Sequence, residues 1–279
     1  MNEYQKTGYL HDNFKIFHLT DTTHKEFSYH YHDFNKILIL LRGDVTYTIE
    51  GRTYDLQPND IVFVNAGEVH KPTIQSVIPY ERIVVYVSPD YLNAHQKNKA
   101  DLNTCFHQAH KEQSHVLRIK SFSNSRLRSC MQRLETSLQD KEFAHELFHE
   151  ILFLEFMIEL NRASLGDAIS YISNTSSNKT ILAILSYLNE HLTEDISIDT
   201  LAEKFFLSRY YLMHTFKEET GYSIGNYLTT KRLLLAKEMI SNGKPITEVC
   251  YSCGYKNYST FSRAYKKNFG LPPRLLNQK

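Results

Sequence analysis

The sequence predicts a two-domain α+β protein, with an N-terminal antiparallel β-barrel, two following helices and a C-terminal all-α domain. At 279 residues the chain exceeds the usual size of one domain. Apolar and polar residues alternate with the period of strands over residues 14–87, and the apolar period becomes helical from Asn124 onward. The polar segment 173–179 is composed of small residues and is typical of a linker.

Charge is distributed unevenly along the chain, although its net value is only +1. From Asn178 onward there are 14 Lys and Arg against 9 Asp and Glu, whereas the preceding residues carry a net negative charge. The C-terminal part is therefore the one suited to a polyanionic partner. Residues 1–10 lack the apolar run of a signal peptide, and no apolar stretch is long enough to span a membrane. With four cysteines, this indicates reduced thiols and a cytoplasmic protein.

Six short segments of the N-terminal part carry strand patterns. Glycine, proline and aspartate separate them at the intervals expected of hairpins. A barrel is the expected closure, since closing an antiparallel sheet removes its exposed edges. The predicted strands are 15–18, 27–32, 36–41, 45–49, 61–64 and 82–87.

Two helices are predicted between the barrel and the linker, the first around Leu127 and Leu134 and the second over 143–160. The second helix is apolar on nearly every side. One face can pack on the barrel while another contacts a second subunit, which predicts a homodimer; the alternative is burial within one chain. The predicted intersubunit seam consists of Leu147, Ile151, Leu154 and Ile158.

The last hundred residues contain the same pattern twice. In the first copy, 197–208 has the pattern of an N-capped helix and a tight turn, and a second helix follows over 209–217. In the second copy, 245–255 and 258–267 repeat these two parts. Apolar residues set the angle between the helices, and the outward face of the second helix stays polar and basic. Each copy is a predicted helix-turn-helix unit, whose second helix suits the major groove of DNA.

The two copies resemble the AraC/XylS family of bacterial regulators over roughly residues 178–276. The resemblance in the second copy lies in Ile246, Cys253, Gly254, Tyr255, Tyr258, Phe261, Ser262, Arg263, Tyr265, Lys266, Phe269, Gly270, Pro272 and Pro273. In the first copy it lies in Leu201, Ala202, Ser208, Leu212, Phe216, Lys217 and Gly221. It implies sequence-specific DNA binding, activation of transcription rather than repression, and contact with RNA polymerase.

The same resemblance implies which side chains face DNA. The first reading helix would present Tyr210, Met213, His214 and Lys217, and the second would present Tyr258, Ser259, Ser262 and Arg263. Tyr, Met and His cannot make the bidentate guanine contact of arginine, so modest selectivity is expected of the first unit. The cations suited to phosphate contacts are Lys231, Arg232, Lys266 and Lys267.

The N-terminal half resembles a cupin, the small β-barrel joined to many members of this family. The first cupin motif matches at His30, His32 and Gly43, and the second at Asn59, Asp60, Gly67 and His70. Enzymatic cupins bind a transition metal through three His and one Glu. The Glu position here is Lys36, which repels cations, so no metal or other cofactor is expected.

Three interpretations of the barrel interior remain open. The favoured one is a small polar effector, such as a sugar or sugar derivative, bound by His30, His32, Lys36, Tyr47 and His70. Lys36 suits an anionic or hydroxyl-rich ligand. Tyr47 is included because strand alternation places it on the face of Val45 and Ile49. The alternatives are a metal-dependent enzyme fused to a DNA-binding domain, and a packed barrel in a DNA-binding dimer that senses nothing.

Two shorter motifs are interpreted as coincidental. His145 and His149 match the H-E-x-x-H pattern of zinc proteases, but no third ligand is apparent. Cys250 and Cys253 have C-x-x-C spacing without a second pair of ligands, which favours small buried thiols. The chain is thus expected not to be an enzyme. The expected divisions are 1–120 for the effector-sensing barrel, 121–172 for the helical dimerisation region, 173–179 for the linker and 180–279 for the DNA-binding domain.

Overall fold

A computed structural model describes residues 8, 10, 12–22, 26–96 and 100–278 of the chain. The chain forms two compact units, which divide between Ser176 and Ser177. Most of the segment 1–10, where the sequence predicts no signal peptide, lies outside the described residues. Within the described ranges, no helix has the length and apolar character needed to cross a bilayer.

The N-terminal unit is built on two antiparallel sheets rather than on one closed barrel, which corrects the predicted closure. The strands are β1 (Phe14–Asp21), β2 (Asn35–Arg42), β3 (Val45–Ile49), β4 (Arg52–Asp55), β5 (Ile61–Val64), β6 (His70–Ile74), β7 (Tyr80–Val87), β8 (Val116–Ile119), β9 (Ile169–Tyr171) and β10 (Ser176–Ser177). The larger sheet has the order β1-β7-β2-β5-β8-β9, and the smaller has the order β10-β4-β3-β6. The arrangement agrees with the jelly-roll form of a cupin.

The strand predicted over 27–32 is wrong, because the segment forms isolated bridges at His30 and Tyr31 instead of a strand; His30 bridges to His70. Strand β6 was not predicted, since Pro72 and its polar neighbours obscure the alternation that its burial reveals. Strand β9 lies inside the segment expected to be wholly helical, where it pairs with β8. The large sheet is therefore completed by chain that follows the helices.

Strand β2 is buried on both faces and separates two apolar clusters. Ile37 and Ile39 pack in the cluster shared with the helices of this unit, whereas Leu38 and Leu40 pack in the interior cluster with Tyr47. The helices are α1 (Pro89–Ala94), α2 (Thr104–Lys111), α3 (Arg126–Thr136) and α4 (His145–Ser164). Since successive side chains of a strand alternate, Lys36 lies on the interior face with Leu38 and Leu40.

The C-terminal unit begins at the end of β10 and contains only helices and their connections from Asn178 onward, within its described residues. Its helices are α5 (Lys179–Glu190), α6 (Ile198–Lys204), α7 (Arg209–Thr220), α8 (Ile224–Ser241), α9 (Ile246–Ser252) and α10 (Tyr258–Phe269). Side-chain oxygens of Ser197, Ser208, Ser223 and Asn257 accept hydrogen bonds from backbone N–H groups at the starts of α6, α7, α8 and α10. These caps satisfy donors that a helix leaves unpaired, so each helix begins at a defined residue.

Gly254, in the turn after α9, lies close to the loop that follows α5. Its φ of +79° is in the left-handed region, and an added Cβ would lie 2.6 Å from the carbonyl oxygen of Thr193. Gly243 has the same φ of +79°, but an added Cβ there would meet nothing within 4 Å. Substitution of either glycine imposes the same strained backbone conformation, but only substitution of Gly254 adds a steric clash. Comparing the two therefore separates the free-energy cost of the conformation from that of the clash.

We expect Gly254→Ala to destabilise the protein more than Gly243→Ala does. Both substitutions cost about 1–2 kcal/mol for the left-handed conformation, and Gly254→Ala adds roughly 1–3 kcal/mol for steric overlap with the backbone. The measurement is urea unfolding of the full chain, followed by circular dichroism at a helical wavelength. Equal losses of stability for the two variants would contradict the close approach at Thr193.

Candidate functional site

The C-terminal unit contains two helix pairs of similar construction, α6 with α7 and α9 with α10. Leu201, Leu212 and Phe216 are buried in the first pair. Val249, Phe261 and Tyr265 occupy comparable positions in the second. In each pair a short turn leads to a capping residue, Ser208 or Asn257, and then directly into the longer helix. The apolar contacts hold the second helix of each pair at an angle that leaves its outer face exposed.

The outer face of α7 carries the four side chains predicted to contact DNA. Tyr210, Met213, His214 and Lys217 are all exposed, and the side chain of Tyr210 is 75% accessible. The Tyr210 ring stacks on the His214 ring with centroids 5.7 Å apart. His214 Nδ1 lies 3.2 Å from Glu218 Oε2, so a carboxylate accompanies the imidazole on this face. The face is therefore aromatic and only weakly basic.

The outer face of α10 is smaller and more basic. Tyr258, Ser259, Arg263 and Lys267 are exposed, whereas Ser262 is half-buried. Arg263 Nε donates to the Ser259 carbonyl oxygen at 3.3 Å, which lays the guanidinium along the helix surface. Small serine side chains beside a long cation allow close approach to a groove, as base reading requires.

Arg232, which the sequence suggests for phosphate contact, has a structural role on α8. Its Nε donates to the Leu192 carbonyl oxygen at 2.7 Å, and its Nη2 donates to that of Glu194 at 2.5 Å. Lys256 Nζ lies 2.7 Å from Asp195 Oδ2 in the same loop. These contacts fix the loop after α5 against the second helix-turn-helix unit.

A second candidate site lies in the N-terminal unit, where His30, His32 and His70 meet. Their ligand-type ring nitrogens all lie within 4.8 Å of one another. His30 Nδ1 lies 2.8 Å from the Ser28 carbonyl oxygen, and His70 Nδ1 lies 3.0 Å from that of Glu68. A carbonyl oxygen can only accept a hydrogen bond, so Nδ1 of each ring must carry the hydrogen. In the neutral imidazole, Nε2 of each ring is then a hydrogen-bond acceptor.

Both of these imidazoles are held in the neutral form. Burial is the main reason, and the charge of the nearby Lys36 the second, why the pKa of His30 is lowered to about 4. Burial and the same cation lower the pKa of His70 well below its usual value. Among the described residues, the fully buried Nε2 of His70 has no hydrogen-bond partner.

Lys36 lies beside the three histidines with only 7% of its surface accessible. Its Nζ donates to the hydroxyl of Tyr47 at 3.0 Å. Burial, and secondarily Arg82, lowers the pKa of Lys36 to about 7. The Tyr47 ring stacks on that of His70 with centroids 6.0 Å apart. The structure thus brings together the five side chains that the sequence suggested for the effector site.

Two residues of β7 border this cluster and were missed by sequence reasoning. Arg82 Nη1 lies 2.7 Å from Asp21 Oδ2, and Tyr86 is paired with Lys36 across the β2–β7 ladder. The Tyr86 ring lies 5.5 Å from that of His32. The alternation of 82–87 contained the signal, because it places Arg82 and Tyr86 on one face with Val84.

The donor set fits a divalent metal poorly. Three neutral imidazoles could supply three nitrogen ligands, as in metal-binding cupins. The fourth ligand of that set is a carboxylate, and its place is taken by Lys36, a buried cation that repels a metal ion. Asp60, in the second cupin motif, is instead held by Arg118 through two contacts of 2.7 Å.

The two shorter motifs have structural roles. His145 Nδ1 is near the Glu142 carbonyl oxygen, whereas His149 Nδ1 contacts Ser137 Oγ at 2.6 Å and its ring stacks on Phe14. Among the described residues, the only metal-type cluster is that of His30, His32 and His70. Cys250 and Cys253 are free, buried thiols.

Helix α4 leaves part of its apolar surface uncovered within this chain. Leu147, Ile151 and Ile158 are exposed, whereas Leu154 is partly buried and packs against the core of its own unit. Phe143 and Phe148 extend the exposed apolar surface near the start of the helix. Exposed apolar surface of this kind is characteristic of interaction sites.

Comparison with known proteins gives two family matches. Residues 15–157 match a family described as an AraC-like ligand binding domain. Residues 201–279 match one described as a helix-turn-helix domain. The HTH-type transcriptional activator RhaS of Escherichia coli strain SMS-3-5 is 25% identical over 256 residues, which cover 91% of this chain and 88% of that protein. RhaS of Shigella sonnei is 26% identical with the same coverage.

Among solved structures, similarity is found to a protein of unknown function from Listeria innocua, with 31% identity and a TM-score of 0.33. It covers 35% of this chain and 94% of that one. The C-terminal domain of AraT, a response regulator from Geobacillus stearothermophilus, shows 32% identity and a TM-score of 0.32, covering 33% of this chain and 78% of that one.

The turn of each helix pair contains a residue with a positive φ, but only the second turn has glycine there. Phe206, in the turn after α6, has a φ of +53° and its side chain is 96% accessible. Gly254 holds the similar place after α9, with a φ of +79°. A non-glycine residue in this conformation costs free energy, and the Phe206 ring gains almost no burial in return.

We expect Phe206→Gly to stabilise the C-terminal unit by about 0.5–1 kcal/mol, because glycine adopts a positive φ without strain. Phe206→Ala is the matched control, since it removes the ring but keeps the strain, and it should leave the stability unchanged. Urea unfolding measures both effects. A loss of stability in Phe206→Gly would show that the ring makes a stabilising contact.

Proposed function

The chain belongs to the AraC family of transcription regulators, with an AraC-like ligand-binding domain ahead of a helix-turn-helix domain, and we propose that it is a DNA-binding activator controlled by a small polar effector. The observation that carries the proposal is the tandem of α7 and α10, each with a buried apolar side and an exposed polar side. Two such helices can enter successive major-groove segments roughly 34 Å apart.

Base reading is assigned to Tyr210, Met213, His214 and Lys217 on α7 and to Tyr258, Ser259, Ser262 and Arg263 on α10. The exposure of most of these side chains supports the assignment. Ser262 is half-buried and would act by allowing close approach. Lys267, in the last turn of α10, is assigned to phosphate contact.

Effector binding is assigned to the interior of the N-terminal unit, at His30, His32, Lys36, Tyr47 and His70. Four of these side chains are buried and His30 is partly buried, and the hydrogen bond from Lys36 to Tyr47 adds to their polar character; this supports a polar ligand such as a sugar or sugar derivative. The effector would bias the placement of the DNA-binding domains through the segment 173–179. This role is binding rather than catalysis, and it requires no metal or other cofactor.

The protein would act in the cytoplasm as a homodimer and would contact RNA polymerase once it is on DNA. The exposed side chains Leu147, Ile151 and Ile158 support α4 as the intersubunit seam. Leu154 would contribute less than the sequence suggests, because it packs within its own subunit. A dimer would span repeated sites and gain affinity from effective concentration.

Selection of genomic fragments bound by the full-length protein should enrich particular sites, and Arg263→Ala should weaken binding to them by about 1–3 kcal/mol. The reason is the loss of a base-edge contact, so discrimination against unrelated DNA should fall as well. Gel-shift titration at physiological salt measures both quantities. No enriched site, with and without candidate effectors, would contradict the proposed regulator.

Lys267→Ala is the matched control on the same helix. It should weaken binding to all sequences alike, because a phosphate contact carries no sequence information. The slope of log affinity against log salt concentration should fall by about one, since one fewer counterion is released on binding. An Arg263→Ala variant that behaved in the same way would reassign Arg263 to the phosphate backbone.

Ile151→Lys should weaken dimerisation by at least about tenfold, roughly 1.4 kcal/mol, because it places a charge in the apolar seam. Sedimentation equilibrium measures the dissociation constant. Ile78→Lys is the control, since Ile78 is also an exposed apolar residue of this unit but lies outside α4. Unchanged association in Ile151→Lys would exclude this face as the dimer contact.

A further inference from the structure

Lys36 carries a buried amine, and no carboxylate of the described residues contacts it. Among the residues that the structure describes, Lys36 Nζ donates to the Tyr47 hydroxyl at 3.0 Å and lies 5.7 Å from the centroid of the Tyr47 ring. The neighbouring Arg82 adds a second positive charge and has its own carboxylate, Asp21, at 2.7 Å. Burying an ammonium group without a counter-charge is costly, so the site favours an anion that completes it.

The histidines beside Lys36 present the complementary chemistry. His30 and His70 direct their Nδ1 protons to backbone carbonyls, which leaves Nε2 of each ring as a hydrogen-bond acceptor. Acceptors of this kind attract hydroxyl groups and repel a carboxylate. The site therefore offers a charged donor on β2 and neutral acceptors from His30 and from His70 on β6.

A single class of molecule satisfies both requirements. We propose that the effector is a polyhydroxy acid, whose acid group binds Lys36 and whose hydroxyl groups donate to Nε2 of His30 and His70. This inference rests on the proposed effector-sensing function and narrows its ligand class. Lys36 stands where a metal-binding cupin has a carboxylate. A carboxylate favours a positively charged metal ion, whereas the lysine at this position favours a negatively charged ligand.

Neutral sugars satisfy only half of the site. Their hydroxyl groups can donate to the imidazoles, but they leave the ammonium group of Lys36 without a counter-charge. A hexose phosphate shares the anionic polyol chemistry with a uronic acid, although its acid group is larger. Comparison of the two therefore shows which acid group the site accommodates.

The test measures binding by full-length protein with isothermal titration calorimetry, using pairs of sugars that differ in one acid group. The pairs are D-glucuronate with D-glucose and D-galacturonate with D-galactose, and D-gluconate and a hexose phosphate form additional arms. We expect at least one acid to bind about tenfold or more tightly than its neutral counterpart. We expect Lys36→Met to abolish that preference.

One further variant and one further measurement keep the outcome interpretable. Lys71→Met lies next to His70 on β6 but on the opposite face of the strand, and it should retain the preference for the acid. Lys36→Met should also leave the thermal midpoint of the unliganded protein unchanged or raise it, because it removes a buried charge that lacks a counter-charge. A lower midpoint would show that the hydrogen bond from Lys36 to Tyr47 stabilises the unliganded fold, and would contradict the unsatisfied charge on which the inference depends.

The inference and the proposed function fail in different ways. Equal binding of acids and neutral sugars, unaffected by Lys36→Met, would overturn the acidic ligand class and leave effector sensing intact. Binding of none of these compounds at millimolar concentration would count against the inference and the sugar-type effector together. DNA binding by the unliganded protein is a separate measurement, and its presence would preserve the regulator in either case.

Discussion

The N-terminal unit depends on strand β2 being covered on both of its faces. Ile37 and Ile39 pack against the helices, and Leu38 and Leu40 pack in the interior, so one strand serves two apolar clusters. A shift of one residue in its register would exchange these two sets and move Lys36 out of the interior. Pairing of β2 with β5 and β7, which is regular from Lys36 to Ile39, therefore fixes the apolar packing and the position of Lys36 together.

The C-terminal unit relies more on local sequence. Serine and asparagine caps set the first residue of α6, α7, α8 and α10, and Arg232 and Lys256 hold the loop that follows α5. Because a helix turns through a fixed angle per residue, the starting residue decides which side chains face outward. The identity of the exposed side chains on α7 and α10 follows from these caps and from the apolar residues on the opposite side.

The sequence was most informative where a periodic pattern coincides with burial on one face. The helical period and capping residues predicted the helices around both helix-turn-helix units, and the alternation about Tyr47 predicted its interior position. Strand β6 escaped because Pro72 interrupts its pattern, and the segment 27–32 forms no strand although its residues alternate. Arg82 and Tyr86 were missed because they reach this region through pairing between β2 and β7, which are distant in sequence; Tyr86 lies opposite Lys36 and Arg82 lies opposite Leu40.

The burial of all four cysteines has a consequence for the behaviour of the protein under oxidative stress. Burial raises the pKa of Cys130 and of Cys253 to about 11, and it raises the pKa of Cys105 and Cys250 as well. The thiolate is the form that reacts with peroxides and disulfides, and little of it exists near neutral pH in these four residues. Direct oxidation of these four thiols is therefore disfavoured near neutral pH, so the apolar packing around them is protected from this kind of damage.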